Sequence, residues 1–267
     1  MVTTVLKNAL TIAGSDSGGG AGILADIKTF SAFKVYGMAV VTAVTAQNSV
    51  DVLDIHPVPV KTIRLQLEAV LSDMGTDGIK TGMLWNSEVV LTVAEILAGR
   101  RPPFLIVDPI MTSKSGKTLL DPEAISVLKT ALLPMASMVT PNIPEAEALT
   151  GVRIVSERDI RKAGHAIHRL GVSSVLVKGG HRGGPASDFL FDGSDWTVFV
   201  SERIDSSNTH GTGCTYSAAI LANLVLGKSP IEAVGASKAF VTEAIRHAFP
   251  LGRGQGPLNH FVKIETG

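Results

Sequence analysis

The stretch NTHGTGCT at 208–215 carries the clearest chemistry in the chain, because it opens an apolar helical run and holds the only cysteine among 267 residues. A helix amino end presents N–H groups that have no partner within the helix, together with the positive end of its dipole. Gly211 and Gly213 let an anion approach that backbone closely. Phosphate is the natural guest of such a turn. The same positive end favours thiolate over thiol, so Cys214 is expected to have a lowered pKa and to act as a base. The plain alternative is a tight glycine turn with Cys214 as a small buried hydrophobe. His210, in the same octapeptide, either touches phosphate or holds the loop.

Other polar residues follow short apolar runs, where ligands bind in open α/β sheets. GSDSGGGAG at 14–22 binds phosphate, supplies the backbone of a lid, or simply turns the chain before a helix near Ala21. Gly20, Gly22 and Ala25 also fit the loose dinucleotide pattern G-x-G-x-x-G/A. A nicotinamide-binding fold wants an acid at the end of the second strand, and this chain has Gln47 there. An amide donates and accepts at once, which suits a heterocycle with a ring nitrogen beside an amino group; the alternative is a bond to local backbone. Asn142 and Glu145 stand three apart at a helix start, the spacing of a capping box, and a carboxylate there is also able to hold magnesium through water. Asp108 either shares that task or ends its strand in an Asp-Pro turn, and Lys178 either meets a nucleotide phosphate or is solvated. His165 and His168 lack further metal ligands nearby, so they read as a solvated face.

These residues need a scaffold that brings strand ends together. Apolar, β-branched runs at 10–13, 38–46, 78–81, 104–107, 138–140 and 174–178 alternate with helical periods at 21–33, 60–72, 87–97, 121–132 and 157–170. That βαβ rhythm predicts a doubly wound, mostly parallel sheet flanked by helices, in a single domain over 1–267. A small antiparallel hairpin is predicted around Asp192 and Gly193, and two terminal helices bracket Gly227. The glycine-rich stretch 179–184 reads as a mobile loop.

Composition narrows the function. Lys plus Arg and Asp plus Glu balance at 24 each, so no excess positive charge exists to hold nucleic acid or an acidic membrane surface. One cysteine cannot form an internal disulfide, and the opening MVTTVLKNALTIAG lacks the features of a secretory signal, so a cytoplasmic location is expected. No apolar stretch approaches the roughly 18 residues of a membrane helix. A small-molecule partner fits best.

Taken together, LTIAGSDSGGGAGILADIKTF, AVTAQNS, KTGML, VDPIM with SKSG, TPNIPEAEAL, VLVKGGH, NTHGTGCT and GRGQGPLNHF resemble the bacterial hydroxymethylpyrimidine/phosphomethylpyrimidine kinases of thiamin biosynthesis, in the ribokinase-like superfamily. The resemblance covers nearly the whole chain. It implies a nine-stranded-type sheet, a dimer, and ATP with magnesium as co-reactants. It places Cys214 as the catalytic base in an anion hole formed by 211–214. Gln47 falls on the pyrimidine, with Gly14, Asp26, Met83 and Ile110 around the substrate. Asp108 and Glu145 fall on the metal; Asn142, Lys178, Thr209, Gly211, Thr212 and Gly213 fall around the nucleotide and its phosphates. Leu24 departs from the glutamine common after GAGI. The nearest rival is a pyridoxal kinase of the same cysteine-bearing branch. A nicotinamide oxidoreductase and a non-catalytic pyrimidine sensor are readings of other classes.

Overall fold

The computed structural model describes residues 6–113, 116–180 and 184–263. Residues 114–115 of the SKSG segment and 181–183 of the predicted mobile loop lie outside them. In chain order the elements begin with β1 (Asn8–Ala13), α1 (Gly22–Ala32), β2 (Tyr36–Val41), β3 (Ala43–Gln47), β4 (Val52–Pro57), α2 (Val60–Asp73), β5 (Ile79–Thr81), α3 (Ser87–Gly99) and β6 (Leu105–Val107). Next come α4 (Pro122–Val127), prolonged by a π turn over Leu128–Leu132, then β7 (Met138–Val139), α5 (Ile143–Thr150), α6 (Glu157–His168) and β8 (Ser174–Lys178). The chain continues through β9 (Ala186–Phe191), β10 (Trp196–Ser201), α7 (Thr212–Val225) and α8 (Pro230–Arg246).

The main sheet runs β10-β9-β8-β7-β6-β5-β1-β2, parallel from β8 to β2. The hairpin expected at Asp192 and Gly193 is β9–β10, which extends the sheet antiparallel from β8. Eight strands form this sheet where the resemblance implies nine. The run at 38–46, predicted as one strand, is two. The ladder between β1 and β2 runs as far as Ala13 and Val41, and beyond it only scattered bonds such as Ser15 N–H to Ala43 O, at 2.9 Å, join the two segments. At Thr42 the chain leaves the sheet, and β3 pairs antiparallel with β4 in a separate hairpin. Thr42 is pinned at the exit by N–H to Ala13 O and by its hydroxyl to Met83 O, at 3.0 and 2.6 Å.

Alternate strand residues feed two cores, as the period-two pleat requires. Leu10, Ile12, Leu105 and Val107 pack on the side of α2 to α6, whereas Ala9 and Ile106 pack on the side of α1, α7 and α8. Helix α7 is apolar around its whole circumference because it lies against α1, α8 and the strands β1, β5 and β6, and its residues from Cys214 to Val225 are all buried. Its amino end thereby sits at the carboxyl edge of the central strands. No helix among the described residues is long and apolar enough to cross a membrane.

A fully buried ion pair lies inside the fold. Lys80, in the middle of β5, and Asp26, on α1, are both 0% exposed, and the ammonium holds both carboxylate oxygens at 2.9 and 2.7 Å. Thr11 Oγ1 donates a third bond to Asp26 at 2.6 Å. Removing one partner of such a pair strands the other in a medium of low dielectric. Lys80→Met is therefore expected to destabilise the protein by about 3–5 kcal/mol in urea unfolding, and Asp26→Leu with Lys80→Met to recover most of that loss. Equal losses in the single and double variants would contradict this pairing.

Candidate active site

Two glycine-bearing segments meet above the sheet edge and shape the site. The first loop leaves β1 at Gly14, whose carbonyl accepts the Ile23 N–H at 3.0 Å, so α1 begins directly against the strand end. The second segment enters α7 through Gly211, its N-cap, at φ 81°. A side chain at Gly211 would overlap the Gly20 carbonyl oxygen, so the two loops touch backbone to backbone. Asp16 locks the contact. Its carboxylate accepts the N–H groups of Gly18, Gly20 and Ala21 at 2.8, 3.0 and 2.8 Å and the Nε2 of His210 at 2.7 Å. Burial by itself would raise the Asp16 pKa, but the His210 bond and charge and these amides hold it below the usual carboxylate value.

Cys214 occupies the first turn of α7 and is 7% exposed. The N–H groups of that turn precede the helix's own ladder and face the strand ends. The expected lowering of the thiol pKa does not occur. Burial pushes it up to about 11; the nearby charge of Lys80 lowers it, Asp26 and Asp108 raise it further, and the Gly22 N–H directed at the sulfur favours thiolate. Desolvation outweighs the helix end and the buried cation, so the resting sulfur is a neutral thiol.

Beside it lies a charged cluster. A Cβ built on Gly213 would sit 3.4 Å from Lys178 Nζ and 3.8 Å from Asp108 Oδ2, so both side chains hang over the amino end of α7. Lys178 Nζ bonds Asp108 Oδ1 at 2.8 Å; Thr140 Oγ1 donates to the same oxygen at 3.0 Å, and Ser217 Oγ donates to Oδ2 at 3.1 Å. Burial would raise the Asp108 pKa, but Lys178, Lys80 and these hydroxyls bring it below its ordinary value. Glu145 is pushed up to about 7 by burial and by repulsion from Asp108, against the pull of Lys178. Two crowded carboxylates of this kind fit a hydrated magnesium that takes its other ligands from nucleotide phosphates, and no cluster of three or more acidic, histidine or cysteine ligands exists among the described residues.

The remaining expected residues divide into those at the surface of the site and those beneath it. Met83 Sδ and Cε lie 3.3 Å from where a Gly14 Cβ would stand, and Ile110 Cδ1 lies 3.6 Å from the equivalent point on Gly82, so Met83 packs on Gly14 and Ile110 on Gly82. Gln47, at the end of β3, reaches across to the octapeptide, 3.3 Å from His210 Nε2. Asp26 is not at that surface. Lys80 and Thr11 occupy its oxygens and it has no exposed surface, so it belongs to the buried layer beneath the strand ends. Asn142 and Glu145 form the full capping box: the Asn142 side chain accepts the Glu145 N–H at 2.9 Å, and Glu145 Oε2 accepts the Asn142 N–H at 2.7 Å. Thr212 Oγ1 donates to Thr209 O at 2.7 Å, which closes the turn before α7.

The family model for phosphomethylpyrimidine kinase matches residues 16–259, a span that runs from Asp16 in the first loop through the octapeptide. The chain belongs to the phosphomethylpyrimidine kinase family. It is 48% identical over 263 residues to the hydroxymethylpyrimidine/phosphomethylpyrimidine kinase of Haemophilus influenzae, covering 96% of this chain and 97% of that one. It is 51% identical over 259 residues to the thiamine biosynthesis bifunctional protein ThiED of Geobacter sulfurreducens, covering 97% of this chain and 53% of that longer protein. The solved structure of the pyridoxal kinase from Staphylococcus aureus in complex with ADP superposes with a TM-score of 0.89 at 38% identity, covering 96% of this chain and 94% of that chain.

Within this family member, several positioning residues escaped the sequence reading. Lys80 was hidden because a lysine in a three-residue strand reads as solvated; its signal is the apolar company of Ile79 and the following Thr81-Gly82. His260, in the PLNHF tail, meets Thr215 Oγ1 at 2.9 Å, and burial with the Lys28 charge lowers its pKa to about 4, so it stays neutral. His165 is exposed and His168 half-buried, in keeping with the solvated face expected, and both rings stand edge-on to Phe191 with centroids 4.5 and 5.1 Å away. They close the outside of β9, far from any metal role.

The thiol's environment sets an expectation. Since its folded pKa lies above the ordinary 9.0, the protonated form adds stability in full below pH 9, and this is lost as pH rises toward about 11. Iodoacetamide is expected to label native Cys214 slowly at pH 7 and progressively faster up to about pH 11, followed by mass spectrometry. Rapid labelling at pH 7 would show a thiolate and contradict the burial argument.

Proposed function

We propose that residues 1–267 act as one ribokinase-like kinase domain that phosphorylates 4-amino-5-hydroxymethyl-2-methylpyrimidine, and then its monophosphate, to give the diphosphate used in thiamin biosynthesis. One observation carries this reading: Asp108 and Lys178 converge on Gly213, one residue before a cysteine at the amino end of a buried helix. Phosphoryl transfer has a loose transition state and needs positioning and charge neutralisation more than strong covalent chemistry. The site supplies both. The pyrimidine ring rests on Gly14, Met83 and Ile110, with Gln47 reading its polar edge and the hydroxymethyl oxygen next to Cys214 Sγ. The γ-phosphate lies on the N–H groups of 211–214, and Lys178, Asn142, Thr209 and Thr212 surround the nucleotide phosphates.

Asp108 and Glu145 would hold magnesium, which neutralises charge on the nucleotide when bound. Cys214 accepts the alcohol proton only as thiolate, so its own proton passes to solvent water before transfer, and the buried Lys80 charge favours the thiolate that remains. Similarity to a pyrimidine kinase at 48% identity exceeds that to a pyridoxal kinase at 38%, which supports the pyrimidine as the preferred alcohol. Pyridoxal phosphorylation is the second reading, because the pyridoxal kinase fold matches nearly end to end. A homodimer belongs to the same proposal: Val44, Val50 and Leu53, exposed on the β3–β4 hairpin, are apolar side chains that a second copy would cover.

Mass spectrometry after incubation with magnesium ATP and the hydroxymethylpyrimidine is expected to show the mono- and then the diphosphate, with pyridoxal consumed more slowly. Pyridoxal preference would overturn the substrate assignment. Cys214→Ala is expected to cut kcat by about 10²–10⁴-fold while nucleotide affinity stays nearly constant. Unchanged turnover would remove the thiol from the chemistry.

A further inference from the structure

His210 is the residue that the octapeptide reading left without a role, and the hydrogen-bond inventory around it gives one. Asp16 is an ionised acceptor filled by three backbone donors, so the imidazole nitrogen 2.7 Å from it must carry a hydrogen. Nε2 of His210 is therefore a donor whatever the ring's charge. The Gln47 amide as placed has its nitrogen 3.3 Å from that same Nε2, which sets two donors face to face. Its oxygen lies 3.2 Å from Thr45 Oγ1, yet that hydroxyl already gives its only hydrogen to Ser15 O at 2.8 Å.

Both conflicts disappear when the amide is turned by half a revolution about its last bond, which exchanges its oxygen and nitrogen. Oε1 then accepts from His210 Nε2–H, whose hydrogen it shares with Asp16, and Nε2 donates to Thr45 Oγ1. Two independent neighbours thus demand the same orientation. The backbone holds the side chain in place for it. Gln47 N–H bonds Ser17 Oγ and Ser17 Oγ–H bonds Gln47 O, each at 2.8 Å, and β3 bulges between Ala46 and Gln47. His210 is fixed from the other side by its N–H to Gly256 O at 3.0 Å.

We propose that His210, oriented by Asp16, is a positioning residue that fixes the direction of the Gln47 amide and so makes it selective for an aminopyrimidine edge. So oriented, Gln47 keeps one N–H and one lone pair free. The N–H meets a ring nitrogen, and the oxygen meets the hydrogen of an amino group on the adjacent carbon. A pyridine without that amino neighbour uses only half of the pair. The inference rests on the pyrimidine as substrate, but its test reads binding, so it is separable from the question of turnover.

The test is calorimetric titration of 4-amino-5-hydroxymethyl-2-methylpyrimidine, and separately pyridoxal, onto the full chain without nucleotide. Wild type, His210→Phe, Gln47→Ala and the double variant form a cycle. His210→Phe keeps a ring and removes the donor; it is expected to weaken the pyrimidine about tenfold and pyridoxal by less than about threefold. In the Gln47→Ala background the same change is expected to cost less than about twofold, since no amide remains to orient. His210→Asn, which restores an N–H donor, is expected to return part of the pyrimidine affinity that His210→Phe loses. An equal loss in both backgrounds, equal losses for both ligands, or no loss at all would overturn the proposal. Pyrimidine binding with this coupling but no phosphate transfer would sink the kinase reading and leave the positioning role standing.

Discussion

The site depends on the closure of the first glycine loop upon the amino end of α7. Asp16 gathers three backbone amides of its own loop and one imidazole of the other segment, and Gly20 and Gly211 meet with no side chain between them. That contact brings the end of β1, the hairpin carrying Gln47 and the turn carrying Cys214 to one place. Without it, three segments remote in sequence would hold their polar groups over separate strand ends. A carboxylate is suited to this task because it accepts from several donors at once and remains ionised while mostly buried.

Beneath the loops, burial governs the chemistry more than local dipoles do. Cys214 stands at a helix end that favours thiolate, beside a buried ammonium, and still has its pKa raised to about 11. Burial is the largest influence on the sulfur, and Asp26 and Asp108 oppose the lowering that Lys80 exerts. Asp108 shows the opposite balance, because Lys178, Thr140 and Ser217 bond directly to its carboxylate. The thiol is thus kept protonated at rest, and the Asp108 carboxylate is kept charged.

Much of this was legible in residue order. Short apolar runs with polar residues at their ends give the parallel sheet, and the rule that ligands gather at carboxyl edges selects Gln47, Asp108, Asn142, Glu145 and Lys178. Asn142 and Glu145 did form the predicted cap, with the box complete. The break at Thr42 was not legible, because the run at 38–46 continues across it and only the pairing of β1 with β2 and of β3 with β4 shows it. Burial of Lys80 and Asp26 escaped because each is polar in its own segment, and only the packing of α1 on the sheet shows that they answer each other. The thiol's pKa was misjudged because the helix end is visible in sequence and desolvation is not.

The most direct measurement is a crystal structure of the protein with a non-hydrolysable ATP analogue and the hydroxymethylpyrimidine. The terminal phosphorus is expected over the N–H groups of 211–214, with the hydroxymethyl oxygen within about 3.5–4 Å of Cys214 Sγ. A phosphoryl group and alcohol that met elsewhere, with the sulfur still enclosed and touching neither, would contradict the assignment of this helix end as the transfer site.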